Sequence, residues 1–135
     1  MSSTPPVIPF VKLVTHDIEA LAPFYIEAFD FKIEYRVTSD DEPEWALDEI
    51  LMHNAVDEGT TLVLLSFHNR PVVDAGGVIL GMRVTDLPAT LDKVVAAGGT
   101  ITRPRKEMPE HGVKVAFVED PHGTMIEIIE MLPKA

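Results

Sequence analysis

The sequence contains no cysteine. Disulfides, thiolate metal sites and a cysteine nucleophile are thereby excluded, and nothing argues for an oxidising compartment. Long hydrophobic runs are missing as well. No segment approaches the roughly 20 apolar residues needed to span a bilayer. The stretch Met1 to Pro9 has neither the basic cluster nor the apolar run of a signal peptide. Neither secretion nor membrane insertion is expected, and the cytoplasm is the default location. Positive charge is scarce: 11 Lys and Arg stand against 22 Asp and Glu, a formal charge of -11. Such a chain repels phosphate backbones and anionic lipid, so neither nucleic acid nor membrane is expected as a partner.

What is present is apolar residue enough for a core. With 135 residues, 46% of them hydrophobic, the chain fits one domain spanning 1–135, burying about 68% of the surface its unfolded form exposes. Acid concentrates between Ser39 and Glu49, where Asp40, Asp41, Glu42, Glu44, Asp48 and Glu49 lie. A charge run of this kind reads as a solvated loop between strands.

An internal repeat sets the architecture. Val11 to Thr15 and Val78 to Thr85 are strand-like runs leading to Asp17 and Asp86. Each Asp stands where a helix N-cap is expected. Leu21, Phe24, Tyr25 and Ala28 in the first copy, and Leu87, Leu91, Val94 and Val95 in the second, have the spacing of a helix with one buried face. Gly98-Gly99 closes the second helix. Asp30 occupies the equivalent place after the first, a position calling for left-handed backbone. Pro23 predicts a kink or a late start in the first helix.

Strands Phe31 to Val37 and Thr100 to Arg103 follow the helices, and a hairpin closes each copy. In the first it comprises Ile50 to Ala55, a turn at Asp57-Glu58-Gly59 and Thr61 to Phe67. In the second it comprises Val113 to Val118, a turn at Asp120 to Gly123 and Thr124 to Glu130. Each unit reads βαβββ, with module one at about 9–69 and module two at about 77–132. The predicted fold class is α+β, the two modules pairing into a curved sheet or half-barrel around a central cavity.

Two motifs carry a family likeness. The run from Val14-Thr15-His16-Asp17 to Phe24-Tyr25, and the run Phe117-Val118-Glu119-Asp120-Pro121-His122-Gly123 continuing to Glu127, resemble the vicinal oxygen chelate superfamily. This is the glyoxalase, bleomycin-resistance and extradiol-dioxygenase group, and the likeness spans about Phe10 to Met131. In metal-using members of that superfamily one divalent ion is held by His or Glu from the first and last strands of each unit. The matching positions here are Phe10 and Ile79 on the first strands, and Val63 or Leu64 together with Glu127 on the last. Only Glu127 can ligate, and one donor does not hold a divalent ion. No cofactor is therefore expected, although a divalent metal on displaced ligands, with Glu127 joined by His111 and His53, stays open.

Strand alternation gives an inward face of Phe10, Lys12, Val14, Ile79, Gly81, Arg83, Met125, Glu127 and Ile129, with Leu62, Leu64 and Ser66 added if Leu64 holds the ligand position. His111 is in a loop that can fold over the cavity mouth. Trp45 and Met52 are on or before the third strand, where such proteins close over a ligand. Glu127 is the candidate catalytic residue, and Phe10, Lys12, Trp45, Met52, Leu64, Ile79, Arg83, Met125 and His111 are candidate substrate contacts. An alternative reading makes Glu127 the partner of a structural ion pair with Lys12 or Arg83. The resemblance implies a small-molecule protein that binds or converts an apolar or aromatic compound, of isomerase or lyase type. The alternatives are a sequestering protein of bleomycin-resistance type and a metal-dependent lyase or dioxygenase. A homodimer is expected, because sheets of this kind leave unpaired edges.

Overall fold

The computed structural model describes residues 4–55, 61–72 and 75–134. The expected turn at Asp57-Glu58-Gly59 falls outside them. Among the described residues no helix is long and apolar enough to cross a membrane.

The chain order is β1 (Phe10–Val14), α1 (Ile18–Phe29), β2 (Lys32–Ser39), β3 (Leu47–His53), β4 (Thr61–Phe67), then β5 (Ile79–Val84), α2 (Leu87–Ala96), β6 (Thr100–Met108), β7 (Val113–Glu119) and β8 (Met125–Met131). Two βαβββ modules follow one another, as the repeat predicts. They form two four-stranded sheets, ordered β1-β4-β3-β2 and β5-β8-β7-β6. In each sheet the first strand pairs parallel with the last, and the remaining pairs are antiparallel.

By packing, the chain divides differently. Among the described residues, one compact unit comprises those within 1–18 and 31–72, the other those within 19–30 and 73–135. Nearly all of α1 thus belongs to the unit that contains the second sheet. Its apolar residues Leu21, Phe24, Tyr25, Ala28 and Phe29 are buried, and Phe24 and Tyr25 meet edge to face with ring centres 5.1 Å apart. Pro23 delays nothing, for α1 is helical from Ile18 through Pro23 to Phe29. Pro23 is solvent-exposed, so a carbonyl left without its helical donor can be satisfied by water.

Both ends of α2 and the carboxyl end of α1 follow the chemistry expected of them. Asp86 caps α2 by accepting from the Ala89 amide at 3.0 Å, while Asp17 precedes α1 with φ 43 instead of the extended backbone of Asp86. Asp30 takes the left-handed backbone, φ 60. After α2 the Gly98 amide donates to the Val95 carbonyl and the Gly99 amide to that of Val94, the paired bonds of a Schellman closure. Gly99 is also a packing necessity. A Cβ there would lie 2.7 Å from Phe24, 2.7 Å from Val94 and 2.9 Å from the Glu119 carbonyl oxygen.

Several strand limits differ from expectation. β3 starts at Leu47, so Asp48 and Glu49 are sheet residues and the solvated loop is shorter than the acidic run. β6 continues past Pro104 to Met108. Proline is tolerated because β6 is an edge strand and its register shifts between Arg103 and Lys106. Short helical turns at Pro43–Trp45 and Pro109–His111 precede β3 and β7.

The second unit is tied together by Asp120, only 4% exposed. Its carboxylate accepts from the Tyr25 hydroxyl at 2.7 Å and from the amides of His122 and Thr124 at 2.8 and 3.0 Å. Burial, then the charge and hydrogen bond of Asp120, hold the Tyr25 hydroxyl far above its ordinary pKa. Removing the hydroxyl by Tyr25→Phe is expected to cost about 1.5–3 kcal/mol at neutral pH. Because the folded pKa is raised, the contribution of Tyr25 is complete below about pH 10 and is lost as pH rises further. Thermal melts from neutral to alkaline pH are therefore expected to fall more steeply for the parent than for the variant.

Candidate functional site

Pairing register decides which side chains share a face. In the second sheet Gly81 stands opposite Glu127, which stands opposite Phe117, which stands opposite Arg103. The next row on the same face is Arg83, Ile129, Val115 and Lys106, and the row on the other side contains Ile79, Met125, Glu119 and Thr100. Ile79, Arg83, Met125 and Glu127 are thus brought to one face.

The other face of this sheet carries α2. Ile126 and Ile128 there are fully buried. Glu130 accepts from the first amide of α2, Leu87, at 2.6 Å and stands 3.4 Å from Lys114. A carboxylate at a helix N-terminus is stabilised by the unpaired amides and the helix dipole. Anchoring Glu130 on the helix side leaves Glu127, three residues away, on the opposite side.

There Glu127 opens into a depression of about 300 Å³ lined by Gly81, Met82, Arg83, Glu127 and Ile129. This matches the lower end of small-molecule sites, about 300–1,000 Å³. Glu127 is half-buried and Arg83 exposed. Among the described residues neither side chain has an ion-pair or hydrogen-bond partner. Arg83 lies one strand over and two residues along from Glu127, roughly 8 Å by sheet geometry, and no ion pair joins them. Two groups of opposite charge thus border one recess.

Lys12 is committed elsewhere. In the first sheet it meets Glu49 at 2.6 Å, and its ammonium lies 5.3 Å from the centre of the Phe10 ring. The ion pair with Glu127 is therefore corrected: the partner is Glu49, whose side chain is only 11% exposed. Reading Glu49 as part of a loop hid this pair. Alternation from β4, with β3 extended back to Leu47, would have revealed it.

Two further placements in the first sheet differ from expectation. Register puts Val63 and Leu65 on the face of Phe10, Lys12 and Glu49, and puts Leu64 and Met52 on the other face with Leu13 and Ile50. Leu64 and Met52 are fully buried core residues, and Val63, the alternative to Leu64, is the one that shares a face with Phe10. Trp45 is half-exposed in the helical turn before β3. The Arg70 guanidinium stacks on its ring at 4.1 Å while donating to the Glu44 carbonyl at 2.7 Å, so one aromatic surface is already occupied. Nearby, Asp48 is held below the ordinary carboxylate range by the Thr38 hydroxyl and then by His68.

His111 is exposed in the turn joining β6 to β7. Phe117, opposite Glu127, is six residues further along the chain, and the four residue-to-residue steps from Val113 to Phe117 alone span about 13 Å. His111 therefore does not fold over Glu127.

The sequence profile of the Glyoxalase/Bleomycin resistance protein/Dioxygenase superfamily matches residues 7–128. The chain belongs to this superfamily. A probable lactoylglutathione lyase from Vibrio parahaemolyticus is 28% identical over 116 residues, covering 84% of this chain and 83% of the relative. Among solved structures, a glyoxalase family protein from Bacillus cereus matches with TM-score 0.81 at 15% identity, over 98% of this chain and 99% of that one. An antibiotic-binding protein from Streptomyces matches with TM-score 0.71 at 18% identity, over 96% and 99% of the two chains. These structural likenesses show the fold.

Metal-using members of the superfamily raise the question of an ion, and the donor set answers it. At the positions matched to ligands, Phe10, Val63 and Ile79 offer no donor atom and Glu127 alone offers oxygen. Among the described residues no three His, Cys, Asp or Glu side chains gather to hold a metal ion. The residues present do not fit the group. Equilibrium dialysis of chelator-treated protein against zinc, nickel or manganese is expected to show no stoichiometric uptake at micromolar metal, and one equivalent bound per chain would contradict this.

Proposed function

We propose that this chain is a metal-independent small-molecule protein of the superfamily, with Glu127 as proton acceptor and Arg83 as the anchor for a carbonyl, carboxylate or enolate oxygen. The observation that carries the reading is the unpaired Glu127 carboxylate opening beside the unpaired Arg83 guanidinium into one recess. A carboxylate next to an oily wall can take a proton from carbon adjacent to a carbonyl. A guanidinium nearby stabilises the negative oxygen that results, the electrostatic task a metal performs in other members. Ile79 and Met125, on the same face, supply apolar contact.

The relative named as a probable lactoylglutathione lyase supports chemistry of lyase or isomerase type, and the antibiotic-binding neighbour supports a purely sequestering alternative. Sequestering of a cationic drug needs an acidic groove. The face around Glu127 instead presents Arg83, Arg103 and Lys106 beside Glu119 and Glu127, which favours a neutral or anionic ligand.

The test uses small ketones and 2-oxo acids in deuterium oxide, with uptake at the carbon next to the carbonyl followed by proton NMR. The protein is expected to accelerate exchange for at least one of them, and Glu127→Gln to slow it by about a hundredfold or more. Since Glu127 has no partner to lose, the melting temperature should stay where it is. A variant that exchanges as fast as the parent would remove Glu127 from the chemistry, and one that melts much lower would restore a structural role.

Assembly into a homodimer is part of the proposal, because β1, β2, β5 and β6 are sheet edges. Light scattering at micromolar concentration is expected to give about twice the 14.9 kDa of one chain. A mass near the single-chain value would count against it.

A further inference from the structure

Gly81 stands in the middle of β5, where glycine weakens a strand and normally has a structural reason. The usual reasons do not apply. Its backbone is outside the left-handed region, and a Cβ placed on it would meet nothing within 4 Å. The contrast with Gly99, whose Cβ would strike two side chains and a carbonyl, is complete. Nor is there a bulge, since the register between β5 and β8 runs without a shift from Ile79 to Val84.

What the missing side chain does leave is room. Gly81 is directly opposite Glu127, and both line the recess. Any larger residue at this point would project from the same face as the Glu127 carboxylate, about 4.8 Å away across the strand pair. Arg83 bounds the space at one end and Ile79, on the same face and half-exposed, at the other.

We infer that Gly81 is a specificity-determining residue, its bare backbone admitting the flat apolar body of a small anionic ligand beside Glu127 while the ligand's anionic group meets Arg83. This deepens the function proposed above and rests on it. The ligand class is then an aromatic or otherwise planar carboxylate, in keeping with a face where Arg83, Arg103 and Lys106 outnumber Glu119 and Glu127 in a chain with a formal charge of -11.

The experiment compares the parent with Gly81→Ala and Gly81→Leu, using fluorescence titration with anilinonaphthalene sulfonate and displacement by benzoate. Affinity is expected to fall from parent to Ala to Leu, reaching about tenfold or more for Leu. Melting temperature is expected to hold or rise by up to about 4 °C, because a Cβ fits and the unfolded chain loses freedom. Equal affinity in parent and Gly81→Leu would overturn the role of Gly81 while leaving the proposed function standing. A lowered melting temperature, or a changed mass in light scattering, would overturn it in favour of a packing or chain-contact role. A parent that binds neither probe would instead count against the small-molecule reading on which the inference rests.

Discussion

A buried carboxylate is tolerated only when its oxygens are satisfied, and Asp120 meets that condition with one hydroxyl and two backbone amides. The two amides fold the β7–β8 turn, while the hydroxyl of Tyr25 fastens α1 to it. The same turn sets where β8 begins and therefore which residues of β8 face which way. A one-residue slip would exchange the two faces of the strand. Glu130 would leave the amino end of α2 and Glu127 would turn toward it. The recess on the open face thus depends on a hydrogen-bonded carboxylate that takes no part in lining it.

β8 shows how one short strand serves two environments. Ile126, Ile128 and Glu130 complete the helix side, two as packing and one as a cap. Met125, Glu127 and Ile129 alternate with them on the open side. The three carboxylates of this region consequently have separate lives. Asp120 is a structural acceptor, Glu130 neutralises a helix terminus and Lys114, and the Glu127 side chain borders the recess with no ion-pair or hydrogen-bond partner among the described residues. Their residue types are the same or nearly so, and their surroundings make the difference.

Much of this was legible from the chain alone. The repeat gave the element order, the left-handed position of Asp30 followed from its alignment with a glycine, and the span of β4 came from its apolar run and flanking turns. The shared face of Ile79, Arg83, Met125 and Glu127 was readable because a clear turn at Asp120 to Gly123 fixes the register of β8. The first module lacks such a marker. There the facing of β4 stayed divided between Val63 and Leu64, and only backbone pairing with β1 separates them. Glu49 escaped because acidic residues resemble loop, although a carboxylate paired with Lys12 sits comfortably in a sheet. Past Pro104, edge position overrides the rule against proline in strands. That α1 packs with the second sheet had no local signal, since a buried helical face does not announce which surface will cover it.

The last point bears on how the molecule comes into being. Chains are made from the amino end, so the amphipathic helix from Ile18 to Phe29 is synthesised before the sheet that buries it. Tyr25 and its partner Asp120 are separated by 95 positions, a long loop whose closure must precede any return from the contact. During that interval the apolar side chains of α1 are open to solvent or to other chains. The helix is thus a latecomer to a unit it precedes in sequence, and its fate on the ribosome is a matter of waiting for the final hairpin to emerge.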